Sequence, residues 1–176
     1  MQRTRPRTFG RANGRLMRIA ISAVGKLKDA EERAIVERYA KRLNGAGKSL
    51  GLGPIEIREF PESRASGADE RKRDEAARLL KDIGTGDVAV ALDPLGRSLT
   101  SEAFAAYIRD TRDGGAKTCH FLIGGPDGHG DAVLTAASMK LSLGALTLPH
   151  GLARVVLAEQ LYRAATILSG HPYHRA

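Results

Sequence analysis

Four short apolar runs, Arg18 to Val24, Ile55 to Phe60, Asp87 to Asp93 and Lys117 to Ile123, alternate with longer segments that carry helical periodicity. No other feature constrains the fold as strongly, because strands joined by helical crossovers lie parallel and are covered on both faces. The alternation predicts an α/β domain with a parallel sheet and flanking helices. In the first crossover, Ile35, Val36, Tyr39 and Leu43 form one apolar stripe, with Glu31, Glu32, Arg38, Lys41 and Arg42 on the wet side. Gly45, Gly47, Gly51 and Gly53 read as a glycine-rich turn into the second strand. Glu62 to Asp82 is dense in charge of both signs, including Glu75, and reads as a solvated helix laced by its own salt bridges, with a share in an RNA-facing surface as the alternative. Asp93-Pro94-Leu95-Gly96 reads as a turn closing the third strand. Helices are expected at Ser101 to Arg112, Asp131 to Met139 and Gly151 to Ser169, with an apolar segment from Lys140 to Leu148.

At 176 residues the chain is expected to form one domain, over residues 17–176. Residues 1–16 hold Arg3, Arg5, Arg7, Arg11 and Arg15 and no acid, so the rest of the chain carries +3 of the formal +8. That segment reads as a basic extension: a disordered arm, a start codon set too early, or a targeting signal. The early start is the preferred reading, and the signal is disfavoured for want of an apolar or amphipathic stretch. The longest run without charge, Leu141 to Ala153, is shorter than the roughly 20 apolar residues that span a bilayer. Cys119 has no partner for an internal disulfide and sits among apolar residues, so it reads as an inert core thiol in a reducing, cytoplasmic setting.

The run Gly124-Gly125-Pro126-Asp127-Gly128-His129-Gly130 follows a strand, where parallel sheets bind ligands, and its glycines allow close backbone approach. It lacks the Gly-Lys-Ser/Thr of a nucleotide-triphosphate loop and follows the wrong strand for a dinucleotide fingerprint. The five histidines are not at metal-binding spacing, apart from His171 and His174, which read better as two tail imidazoles; no metal is expected. The final helix is apolar on most sides, as helices buried by their own domain and often by a second subunit are. Glu159 and Arg163 stand four apart, either as a plain helix-stabilising pair or as a carboxylate holding an arginine at a subunit boundary.

FLIGGPDG, LTLPH, ARVVLAEQLYRA and the terminal HPYHR, in that order, closely resemble the small single-domain SPOUT methyltransferases that methylate N3 of a pseudouridine in bacterial 23S ribosomal RNA. The similarity runs from about Met17 to the end and is concentrated after Val88. The resemblance implies a deep trefoil knot near the C-terminus, a homodimer, S-adenosylmethionine bound bent within the knot, and a substrate presented by the assembled ribosome. It places cofactor contacts at Leu92, Gly124, Gly125, Leu143, Gly144, Ala145, Leu146, Thr147 and Leu148. It places catalysis at His174, Arg163, Tyr173 and Arg175, and substrate contacts at Arg154, His171, Tyr173 and Arg175. Tyr162 matches the family's final helix as well. Gly151 stands where a proline or larger residue is commoner, and Gly144 where serine is frequent. The rival readings are a SPOUT methyltransferase acting on another RNA such as tRNA, and a catalytically silent ribosome-binding factor.

Overall fold

A computed structural model describes residues 16–175, with the side chains of His174 and Arg175 excepted; the basic extension, Leu16 aside, lies outside the described residues. Five parallel strands, β1 (Met17–Val24), β2 (Leu52–Phe60), β3 (Val88–Ser98), β4 (Thr118–Ile123) and β5 (Met139–Ser142), stand in the order β2-β1-β4-β3-β5. Helices α1 (Ala30–Gly47), α2 (Ala68–Leu80), α3 (Ser101–Asp113), α4 (Asp131–Ala136) and α5 (His150–Ser169) supply the crossovers and the C-terminal element.

Strand alternation sorts the side chains onto two cores. Ile19, Ile21, Cys119 and Phe121 meet Leu43 of α1, Phe104 and Ile108 of α3, and Leu157 and Leu161 of α5. On the other face Ala89, Ala91 and Leu122 meet Ala76 and Leu79 of α2 and Val133 of α4. All six β4 residues are buried, which is why the central runs show no apolar-polar alternation. Cys119 is fully buried and its thiol is pushed up to about 12, so it holds no thiolate at neutral pH.

Several expected boundaries shift, each for a packing reason. Gly45 and Gly47 belong to α1 rather than to a turn; a Cβ on Gly47 would stand 2.5 Å from the Leu52 carbonyl oxygen, so glycine lets the helix end touch the start of β2. β2 correspondingly begins at Leu52. Met139 leaves the expected helix and opens β5. Asp93 to Gly96 does turn, with the Asp93 carboxylate accepting from the Leu95 amide at 2.8 Å, but β3 does not end there. Leu92 and Arg97 both pair with Leu141, so four residues loop out and the strand rejoins β5. In α2, Glu75 is buried instead of solvated, accepting from the Ser63 amide at 3.0 Å.

His120, on β4, is 3% exposed with Nε2 3.5 Å from Asp87 Oδ2, and burial drives its pKa below 6.5 despite that carboxylate. The folded chain therefore takes up this proton less readily than the unfolded one, so stability is full above pH 6.5 and falls as pH drops below it. The melting temperature is expected to decline between pH 7 and 5, and His120→Gln to flatten that decline; an equally steep decline in the variant would remove His120 from the cause.

Candidate active site

Three chain segments, one at the looped-out part of β3 and two at the carboxyl ends of β4 and β5, surround a cavity of about 420 Å³: Leu92 to Pro94, Ile123 to His129, and Leu141 to Leu148 apart from Ala145. His150 and Ala153 of α5 complete it. Its size is ordinary for a cofactor-sized ligand.

The glycine loop after β4 is a tight turn, closed by the Gly128 amide donating to the Gly125 carbonyl at 2.9 Å, with Gly128 at φ +80°. Helix α2 braces it from behind. Arg71 donates to both Asp127 carboxylate oxygens, at 2.6 and 3.2 Å, and holds that carboxyl below its usual range. The Glu75 carboxylate lies where a Cβ on Gly125 would come within 2.6 Å of it, and a Cβ on Gly130 would meet the Lys72 carbonyl at 3.0 Å. His129 is pushed down by burial and sits with Nε2 3.1 Å from the Leu122 carbonyl, so a neutral ring donating through Nε2 fits the site. The Ser142 hydroxyl donates to the Gly144 carbonyl at 3.0 Å and pins the start of the third segment.

Of the nine positions expected to hold a cofactor, eight line this cavity; Ala145 does not. Asp93, Asp127, His129 and His150 join them, and among the described residues no lysine or arginine does. The bracing residues Arg71 and Glu75 gave no sequence signal, because in a charge-dense helix they read like their solvated neighbours. Gly144 adopts φ +138°, a conformation that a serine would strain. Gly151 lies within α5, and the Glu32 side chain fills the space beside it: a Cβ there would overlap that carboxylate at 1.8 Å.

Of the expected catalytic and substrate residues, Arg163, Tyr173 and His171 gather elsewhere, and the side chains of His174 and Arg175 lie outside the described part of the structure. From the middle of α5, Glu159 accepts from Arg163 Nε at 2.9 Å and from the Tyr173 hydroxyl at 3.0 Å. The Arg163 guanidinium carbon lies 5.1 Å from the centre of the Tyr173 ring, and Tyr162 stacks at 4.8 Å from Tyr173 and 6.0 Å from Tyr39. Burial, with the Tyr39 and Glu159 contacts, raises the Tyr173 hydroxyl pKa. The His171 ring accepts from the Tyr173 amide at 3.2 Å. Glu159 thus ties an arginine and the tail together, which a plain i, i+4 pair would not do. From Ala153 at the cavity to Arg163 is ten residues of α5, about 15 Å along its axis.

Arg154, expected to face substrate, is 2% exposed and points inward. It donates to Glu59 Oε1 at 2.8 Å, and to the Val24 and Gly25 carbonyls at 3.2 and 2.6 Å. It clamps the β1 end to β2 and offers no surface to an RNA. Among the described residues no cluster of histidine, cysteine, aspartate or glutamate has a metal-binding arrangement, and no helix is long and apolar enough to cross a membrane.

Residues 17–174 match the family described as "Predicted SPOUT methyltransferase". Proteins named Ribosomal RNA large subunit methyltransferase H are similar over nearly the whole chain. That of Xanthobacter autotrophicus is 50% identical, over 91% of this chain and 100% of its own length. That of Brucella anthropi is 49% identical over the same shares. That of Agrobacterium fabrum is 50% identical, over 90% of this chain and 99% of its own.

Proposed function

Since this chain belongs to the SPOUT methyltransferase family, we propose that it methylates N3 of a pseudouridine in large-subunit (23S) ribosomal RNA, on assembled ribosomes in the cytoplasm, with S-adenosylmethionine as donor. The observation that carries this reading is the convergence of eight of nine expected cofactor positions on one cavity.

The cavity's chemistry suits the cofactor. S-adenosylmethionine carries a net positive charge, and the wall offers the Asp93 carboxylate, with Asp127 already paired to Arg71 and, among the described residues, no lysine or arginine in the lining. Leu92, Leu143, Leu146 and Leu148 provide apolar surface for an adenine, and the glycines bring backbone amides and carbonyls within reach. When bound, the cofactor supplies a methyl group on a positively charged sulfur.

The protein's work is then to place N3 and take its proton. His174 is the base or relay, its imidazole taking the N3–H proton so that N3 could accept the methyl group that a bound cofactor would supply. Arg163, held by Glu159, and Arg175 position phosphate or uracil oxygens. Tyr173 stacks on or hydrogen-bonds the target base, with His171 beside it.

The ten residues of α5 from Ala153 at the cavity to Arg163, about 15 Å of helix, support a homodimer in which one protomer's tail completes its partner's cavity. The three cavity segments, with the first turn of α5 against them, are the place where the expected trefoil knot would be threaded.

Transfer of labelled methyl from S-adenosylmethionine to assembled ribosomes, separated subunits, free 23S RNA and tRNA tests the reading, using ribosomes from a strain lacking the gene. Label at N3 of a pseudouridine in large-subunit RNA is expected, at a single-turnover rate cut at least about 100-fold by His174→Ala. Label in tRNA alone would move the substrate, and cofactor binding without any labelled RNA would leave a silent binding factor. A normal rate in the His174 variant would remove the imidazole from the mechanism.

A further inference from the structure

Arg38, Lys41 and Arg42 occupy positions i, i+3 and i+4 of α1, hence one face, and all three are exposed. Several surface arginines elsewhere do find carboxylates, as Arg58 with Glu56 at 2.7 Å, Arg109 with Asp110 at 2.8 Å and Arg112 with Asp113 at 2.8 Å, whereas others, such as Arg64 and Arg97, stand alone among the described residues. The three α1 cations form no ion pair and donate no hydrogen bond among the described residues, and Glu37, four positions before Lys41, forms no ion pair either.

What holds the two arginines is aromatic. The Arg42 guanidinium carbon lies 5.7 Å from the Tyr39 ring centre and 5.8 Å from that of Tyr162; Arg38 lies 5.7 Å from Tyr39. Tyr162 is the ring that stacks on Tyr173, so the α1 cations and the tail cluster form one continuous surface. A guanidinium held against two rings is oriented before binding while its N–H edges stay unspent, which suits a planar or tetrahedral oxyanion.

We propose that Arg38, Lys41 and Arg42 form a phosphate-binding strip for the RNA substrate, gripping backbone that flanks the nucleotide held by the tail. This rests on the ribosomal RNA reading above and adds residues to it. An anionic membrane fits the strip less well, since α1 exposes no large apolar side chain beside the cations. Strip and tail together supply both halves of RNA recognition, charge for the backbone and stacking for bases.

The test compares the full-length wild type with R38Q/K41Q/R42Q, with Lys41→Gln alone and with Arg42→Lys, measuring ribosome affinity across a salt series alongside steady-state methylation. The triple variant is expected to raise KM for ribosomes at least about tenfold with kcat kept, and to reduce the slope of log affinity against log salt by about 2 to 3, close to one per lost phosphate contact. Its S-adenosylmethionine affinity should equal that of wild type. Lys41→Gln, which touches no ring, should lower the slope by about 1, and Arg42→Lys should keep it. If the triple variant unfolds, Lys41→Gln alone decides. An active wild type whose KM and salt slope survive the substitutions overturns the strip and leaves the RNA reading standing. A wild type that neither binds nor methylates RNA overturns both.

Discussion

Arg154→Met should cost the fold about 3 to 5 kcal/mol, because breaking a buried pair from one side takes a charged donor from each of its remaining partners. Methionine approximates the volume, so the loss isolates the polar clamp: Glu59 and the Val24 and Gly25 carbonyls lose the hydrogen bonds at 2.8, 3.2 and 2.6 Å. Burial lowers the Arg154 pKa and Glu59 opposes that, the signature of a charge kept inside only by its partner. Glu59 also accepts from the Leu27 amide at 2.8 Å, so the loop into α1 should loosen with it. Urea unfolding of both proteins measures the difference. A variant within about 1 kcal/mol of wild type would mean that water replaces the clamp, and would return Arg154 to consideration as a residue that serves the substrate.

Gly96→Ala should weaken the cofactor site although residue 96 does not line it. A Cβ at this position would stand 2.6 Å from the Lys140 carbonyl carbon and 2.8 Å from the Leu141 amide nitrogen, and backbone of a paired strand has little room to yield. The rejoined part of β3, Arg97 and Ser98, should then lift from Leu141 and Ser142, at a cost of about 1 to 3 kcal/mol. Since β5 leads straight into the segment from Leu143 to Leu148, the disturbance reaches the cavity wall, and S-adenosylmethionine affinity should fall by at least about tenfold. Calorimetric titration beside a thermal melt checks both effects. Wild-type values in both would show that the looped-out segment absorbs a methyl group and does not register the wall.

Both residues show where legibility ended. Arg154 sits in a run whose match to the family is plain, yet the same letters suit an arginine facing RNA or one facing Glu59, a residue 95 positions away. Asp93-Pro94-Leu95-Gly96 is legible as a turn, but that the strand resumes beyond it depends on β5 lying alongside, which local sequence does not encode. Glu75 and Arg71 were indistinguishable from the solvated charges around them until the glycine loop was packed against α2.

The sequence by itself determined the parallel α/β class, the loops that line the cavity, and the family, because each is written in short-range patterns: apolar runs, glycines after strands, and four ordered motifs. Only the tertiary structure decided which charges are buried, which cations stay unpaired, and that the tail folds back onto the middle of α5 and not onto the cavity at its start. Those facts follow from contacts between residues far apart in the chain, where burial and partner, rather than residue type, set what a side chain does.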